Sequence, residues 1–363
     1  MRKEQDANII PIFFATDDNY VPFLAVSLTS LLDNASKENL YKIYVLTTHL
    51  EQKNIDQISS IIKSSNKNAT LEFISLKEEL DKMEDLFHLR DYYSKETYYR
   101  FFIPNLFPDY DKVIYLDCDI IILEDIAKLY ATELGDNLVA AAPEEVMTEV
   151  DVFGTYVEKA LGVNRYKYFN AGIMLMNTKE FRKQKIAEKF VDLSQRYIFR
   201  VTQDEDYLNV LCKDKLVLLD LGWNKTAFKN QKFNDKDLKL VHYKINWKPW
   251  HYEGIEYENY FWHYANKAGL SEQLLKMRSE YSEEKKERDK NAYTRLVAWG
   301  KEDTYDPNNY WNSINAKLKK SKGNPISRTW NAGVRLLRIA RIVQIRKLSQ
   351  LRRERGTYGN RKK

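Results

Sequence analysis

Over the first 240 residues, short β-branched or aromatic runs alternate with stretches of helical periodicity. This alternation predicts βαβ units and a mostly parallel central sheet flanked by helices. Asn8 to Ala15 (NIIPIFFA) reads as a buried strand that ends at the polar cluster Thr16-Asp17-Asp18-Asn19. A helix is expected from Val21 to Leu32, with Leu24, Leu28, Leu31 and Leu32 on one face. Strand-like runs recur at Tyr41–Leu46, Thr70–Leu76 and Lys112–Leu116, separated by the amphipathic Gln52–Ile62 and a helix around Glu96–Phe102. Further runs follow at Leu138–Ala142, Ala171–Met176, Leu216–Leu219 and Leu240–Tyr243. Ligands of parallel sheets bind beyond the carboxyl ends of the strands. Asp17-Asp18-Asn19 and Asp117-Cys118-Asp119 each close such a run, and are predicted to face one cleft.

Composition narrows the class. A hydrophobic fraction of 44% in 363 residues excludes wholesale disorder, and only 12 Gly and 8 Pro exclude collagenous or low-complexity chains. Two cysteines, Cys118 and Cys212, cannot build a disulfide framework, which favours a reducing compartment. Neither a secretion signal nor a membrane-length apolar run is apparent, so a cytoplasmic protein is expected. The charge is divided unevenly. The first 315 residues hold 42 basic and 51 acidic side chains, a net of −9, whereas residues 316–363 hold 16 basic and one acidic, a net of +15. Charged helices are expected from about Gly269, and within the basic tail Asn331–Arg355 reads as an imperfectly amphipathic helix. Such a tail suits an anionic membrane surface or a partner protein. Nucleic acid is disfavoured, because no nucleic-acid module accompanies the charge.

The segment Lys112–Glu124 (KVIYLDCDIIILE) carries the chemistry. Strand alternation would place Asp117 and Asp119 on one face, where two carboxylates repel unless something neutralises them. A divalent cation would do so; capping of a turn is the alternative. His242, after the run Leu240-Val241, reads either as a satisfied structural histidine or as a third ligand. Two oxygens and one nitrogen suit Mn²⁺ or Mg²⁺ better than Zn²⁺. Lys248, six positions later, offers a compact positive charge for phosphate oxygens.

The motifs ATDDNY (15–20), TYYRFFIP (97–104), YLDCDIII (115–122), YFNAGIMLMN (168–177), QDEDYLN (203–209) and HYKINWKPW (242–250) occur in this order. Together they resemble the retaining, nucleotide-sugar-dependent glycosyltransferases of family eight, which include glycogenin and bacterial lipooligosaccharide galactosyl- and glucosyltransferases. The resemblance spans about residues 8 to 255. It implies an α/β GT-A (Rossmann-like) catalytic domain over residues 1–268, followed by a helical extension over 269–363 that carries the basic tail (316–363). Ala15, Asp17, Asn19 and Tyr20 would form the nucleotide pocket: Asp17 on the uracil N–H, Tyr20 stacked on the ring, Asn19 at the ribose. Arg100 would meet the donor sugar and phosphates. Asp117, Asp119 and His242 would hold the metal, with Cys118 between the two aspartates, and Lys248 would contact the pyrophosphate. Asn170, Asp204 and Glu205 would hold the transferred sugar, and Glu144 a further acidic sugar position.

Two departures from the family pattern stand out. Family members usually carry Gln in the middle of Asp-Gln-Asp, where this chain reads Asp204-Glu205-Asp206. Glu205 is either a nucleophile under the anomeric carbon or, the favoured reading, a contact for a different sugar hydroxyl. Same-face transfer is then the default route to retention. Relatives often have Gly three positions after the histidine, where Ile245 stands here. The aromatic segment Trp247–Tyr264 could form an acceptor platform, though core packing is the expected use of most of it.

The resemblance therefore implies a metal-dependent transferase using Mn²⁺ (or Mg²⁺). It would move galactose or glucose from UDP-galactose or UDP-glucose to a growing bacterial glycan, lipid-linked or surface-protein-linked, with the protein peripheral at the inner face of the membrane. Alternatives are a glycogenin-like enzyme that glucosylates itself or a protein, and a catalytically silent sugar-nucleotide-binding module with a polyanion-binding tail.

Overall fold

The structure, a computed structural model, describes residues 8–76 and 95–323. The helix expected over Asn331–Arg355, and with it most of the basic tail, lies outside the described residues. A seven-stranded sheet runs in the order β3-β2-β1-β4-β7-β6-β8. Its members are β1 (Asn8–Ala15), β2 (Asn39–Thr47), β3 (Ala69–Ser75), β4 (Val113–Leu116), β6 (Val139–Ala141), β7 (Ile173–Met176) and β8 (Leu216–Leu218). β5 (Ile120–Ile122), β9 (Lys225–Thr226) and β10 (Leu240–His242) form a small second sheet in the order β5-β10-β9. In the large sheet β3-β2-β1-β4 and β6-β8 pair parallel, and only β7 runs antiparallel to its neighbours β4 and β6. The mostly parallel sheet is therefore present, with one reversed strand that brings the chain back beside β4.

β1 is buried from Ile10 to Phe14, as its unbroken apolar run requires of a central parallel strand. Helix α1 (Val21–Asn34) is buried at every residue from Val21 to Leu32. Its Leu24, Leu28, Leu31 and Leu32 pack under the large sheet, while Phe23, Ala25 and Val26 pack against the small one. The single leucine face expected from the periodicity is thus half of the arrangement: a helix between two sheets is apolar all round. Helix α2 (Gln52–Ser64) lies outside it, with Ile58 buried, Ile55, Ile61 and Ile62 half-buried against the core, and the opposite face exposed.

Asp117 and Asp119 do not lie on a continuous strand. They sit in the bend between β4, which belongs to the large sheet, and β5, which belongs to the small one. Both carboxylates still reach the same space, because the bend turns Cys118 to the Ala15 carbonyl, 3.2 Å away. The helix expected around Glu96–Phe102 is a 3₁₀ helix, Lys95–Phe101. Asp204–Asp206 open helix α3 (Asp204–Leu211).

After the small sheet come α4 (Glu258–Lys267), α5 (Ser271–Ser279), α6 (Glu283–Tyr305) and α7 (Tyr310–Gly323). Trp250, Phe261 and Tyr264 are buried beneath the small sheet, so packing does claim a large part of the aromatic segment. α6 and α7 pack on the body. Tyr293 meets Phe153 edge to face at 6.2 Å, Arg200 pairs with Glu302 at 3.0 Å, and the Trp311 ring lies where a Cβ on Gly162 would stand, 2.2 Å away. Gly162 also holds φ +69°, so it is needed for space and for conformation alike.

Candidate active site

One cavity lies beyond the carboxyl ends of β1, β4 and β10, and Ala15, Asp17, Tyr20, Arg100, Asp117, Cys118, Asp119, Glu144, Asn170, Asp204, Glu205, His242 and Lys248 all line it. Asn19, expected at the ribose, is exposed and is not among the lining residues. Asp18 turns away too, accepting from the Glu51 N–H at 2.8 Å and from Asn54 at 2.7 Å. Asp17 accepts from the Tyr20 N–H at 3.0 Å, which fixes the start of α1 and leaves the Tyr20 ring half-buried at the cavity edge.

The ligand atoms of Asp117, Asp119 and His242 lie within 4.8 Å of one another. His242 Nε2 is 3.3 Å from Asp119 Oδ1 and 3.8 Å from Asp117 Oδ2. The tautomer of His242 follows from a chain of amides. Glu144 is paired with Lys244 and, against its burial, this lysine holds the carboxyl below the usual range. An ionised Glu144 can only accept, so Asn170 turns its NH₂ to it at 2.6 Å. Asn170 Oδ1 then accepts from Asn224 Nδ2 at 2.7 Å, and Asn224 Oδ1 faces His242 Nδ1 at 3.0 Å. Nδ1 therefore carries a proton, and Nε2 is the nitrogen that faces the two aspartates and would meet a cation. A His oriented this way through its other nitrogen is the ordinary arrangement at a metal. Gly172 completes the fit: a Cβ there would stand 2.5 Å from His242 Cε1 and 2.6 Å from Asp117 Oδ2. These residues suit a hard divalent cation such as Mn²⁺ or Mg²⁺.

Two cations of the protein itself border this cluster. Lys248 Nζ is 2.6 Å from Asp119 Oδ2 and 3.4 Å from the Tyr20 hydroxyl. Despite burial, Lys248 holds Asp119 well below the usual carboxylate range. Arg100 donates to Asp117 Oδ1 at 3.0 Å and to the Thr97 carbonyl at 2.8 Å, pairs with Asp204 at 3.3 Å, and lies 4.2 Å from the centre of the Tyr115 ring.

The carboxylates of Asp204, Glu205 and Asp206 point three ways. Asp204 faces Arg100, while Glu205 Oε2 accepts from Asn170 at 3.0 Å and from the Ala171 N–H at 2.9 Å. Asp206 accepts from the hydroxyls of Tyr156 and Tyr168 at 2.9 and 2.8 Å and from the Thr202 N–H at 3.0 Å, a buried structural anchor. The preceding Gln203 holds φ +55°, and its buried Oε1 has no partner among the described residues. Burial, opposed by Arg100 and reinforced by Asp117, pushes the Asp204 carboxyl up to about 7. Burial, with Glu144 nearby, pushes Glu205 well above the carboxylate range.

The sequence reasoning missed Lys244, Asn224 and Gly172. Lys244 stands two residues after His242, the spacing of one strand face, and Gly172 lies inside the quoted YFNAGIMLMN motif; Asn224 carried no comparable signal. Ile245, where relatives often have glycine, keeps a left-handed backbone at φ +54°.

A family model described as glycosyl transferase family 8 matches residues 11–254. General stress protein A of Bacillus subtilis is 29% identical over 73% of this chain and 95% of its own. A lipopolysaccharide 1,2-glucosyltransferase of Escherichia coli is 26% identical over 66% of this chain and 73% of its own. Among solved structures, the apo form of the bifunctional glycosyltransferase WbbM superposes with a TM-score of 0.62 at 26% identity, covering 77% of this chain and 53% of that one.

Proposed function

The chain belongs to glycosyl transferase family 8, and from that premise we propose that it moves galactose or glucose from a UDP-sugar onto a sugar of a bacterial glycan, with retention of configuration. The observation that carries this reading is the meeting, in one cavity, of a three-ligand cation cluster with a buried carboxylate–amide cluster. The likeness to a lipopolysaccharide glucosyltransferase supports a glycan acceptor.

On this reading Tyr20 and Asp17 take the uracil, with Ala15 against its edge. Asn19 reaches the ribose only by a turn of the exposed loop that carries it. Asp117, Asp119 and His242 hold Mn²⁺ or Mg²⁺, whose bound charge would offset that of the diphosphate leaving group. Arg100 and Lys248 sit beside those aspartates and stabilise the same developing charge from fixed positions. Asn170, Asp204, Glu205 and Glu144 orient the hexose. Glu144, the ionised member of this set, and the amide and carboxyl oxygens beside it favour an oxocarbenium-like centre. Glu205 serves as a sugar contact: its Oε2 is engaged by two N–H donors, which weakens it as a nucleophile. Transfer on one face of the sugar, with the departing phosphate taking the acceptor proton, is the route consistent with that.

Residues 1–268 would then form the body of the catalytic unit, and 269–363 an extension that adds Ala292, Tyr293 and Leu296 to the cavity and whose basic tail docks at an anionic membrane on the cytoplasmic side. Each basic residue near such a surface contributes about 1 kcal/mol, so several suffice for reversible attachment. No described helix is long and apolar enough to cross a membrane. The test is hydrolysis of a panel of UDP-sugars by the purified chain, with Mn²⁺ and with chelator. Metal-dependent turnover of one sugar is expected. Absence of both turnover and donor binding across the panel would overturn the reading.

A further inference from the structure

The cavity that holds the cation cluster has a second chemical character. Val146, Met147, Phe153, Ile245, Ala292 and Leu296 line it as well. Val146, Met147 and Phe153 belong to the hydrophobic core, with Ile245 and Leu296 packed against them, so packing uses much of this wall and a diphosphate or a cation uses none of it. Ala292 and Leu296 come from α6, which lies beyond the residues 11–254 matched by the family model. Tyr293, between them, also lines the cavity and, together with Asn246, borders an adjoining groove of ≈ 710 Å³. The groove is shallow and open along its length, a shape that suits an extended ligand.

We propose that α6 supplies the acceptor side of the active site, with an oligosaccharide lying along the groove and Tyr293 stacking on the ring behind its terminal sugar. This rests on the transferase reading above and specifies which surface receives the acceptor. The groove offers the aromatic planes of Trp247, Tyr252 and Tyr293 beside the polar groups of Asn246, Lys286 and Thr294. Sugar rings have apolar faces and hydroxylated edges, and this mixture meets both. The walls are held in register. Asn246 donates to the Asp289 carbonyl of α6 at 3.4 Å, and the Tyr252 and Tyr281 hydroxyls both reach Asp289 Oδ2 at 2.7 Å. Tyr293 is 41% exposed, yet its ring is braced edge to face on Phe153.

The experiment uses the full chain with Mn²⁺ and UDP-glucose or UDP-galactose, on an array of bacterial and synthetic oligosaccharides and their terminal monosaccharides. The expected result is that the wild type labels oligosaccharides in preference to the monosaccharides. Tyr293→Ala raises KM for the best oligosaccharide by about 10-fold, the scale of one lost ring contact, and this loss exceeds any loss of donor hydrolysis. Tyr293→Phe, which keeps the ring, stays close to wild type. An unchanged oligosaccharide KM in Tyr293→Ala overturns the proposal, as does an equal loss of transfer and hydrolysis. It is also overturned by a wild type that hydrolyses the donor and labels only monosaccharides or nothing at all. A wild type that neither binds nor hydrolyses a donor defeats the transferase reading first, and is told apart from the others by that.

Discussion

Lys244 and Glu144 form an ion pair across 100 residues of sequence, with side chains only 11% and 4% exposed. The pair stands beside Asn170, so the charge of Glu144 sets the orientation of the Asn170 amide in the cavity. Removing one partner leaves a buried charge without compensation. Lys244→Met is expected to cost about 3–5 kcal/mol in urea unfolding, and Glu144→Gln in the same background to recover most of it. A loss below about 1 kcal/mol in the single variant would show the pair to be solvated and of little consequence.

Gly172 gives the sharpest test of the cation cluster, because it contributes only space. In Gly172→Ala the new methyl collides with His242 and Asp117. Metal-dependent donor hydrolysis should fall by about 100-fold or more while circular dichroism stays native, since removal of one aligned electrostatic group has that scale. Retention of full activity with an unaltered Mn²⁺ requirement would show that these residues do not hold the ion.

Glu205 separates two routes to retention. Glu205→Gln keeps an oxygen for the Asn170 and Ala171 donors, and transfer is expected within about 10-fold of wild type. Glu205→Ala leaves the Ala171 N–H without an acceptor, which costs about 1–3 kcal/mol of stability. A Gln variant more than about 1,000-fold slower that still binds donor normally would instead identify Glu205 as a nucleophile.

Asp204 sets a pH dependence of stability. Its carboxyl lies near 7 in the folded protein against an ordinary value of 3.8, so the folded state prefers the neutral form. That contribution is complete below about pH 4 and is lost as pH rises through about 7. Asp204→Asn is always neutral there. Without added metal or donor, its stability relative to wild type should grow between pH 4 and pH 8, by about 2–4 kcal/mol at the upper end. Chemical denaturation across that range reads it, and a constant difference would mean that Arg100 keeps Asp204 ionised throughout.

The residues that announced themselves did so through local pattern. β1 and β4 are unbroken apolar runs, and the polar clusters after them sit at the strand ends because parallel strands expose their loops together. Asp117, Asp119 and His242 stand out as charged or polar punctuation of such runs. Asn224 had no such setting: it lies in a short 3₁₀ turn, and its importance comes from contacts with residues 54 and 18 positions away. Lys244 looks like a surface lysine until Glu144 is found beside it. Strand alternation gave the right shared space for Asp117 and Asp119 for the wrong reason, since a bend between two sheets places them. α6 is rich in charge, and that composition conceals Ala292 and Leu296 among exposed lysines and acids, so its share in the cavity becomes visible only once the helix is packed on Phe153.

The amides of Asn224 and Asn170 join His242 to Glu144 and Glu205 in one directed series. Its consequence is thermodynamic. Whatever draws electron density from His242 Nε2 strengthens the Nδ1 donor, and whatever competes for the Asn170 NH₂ weakens the far end of the same series. Occupancy at one end thereby changes affinity at the other, and the two effects must be equal in free energy. An ion at one end and a ligand at the other would thus each report on the other, and the affinity of either, measured alone, would not be its affinity in the presence of the second.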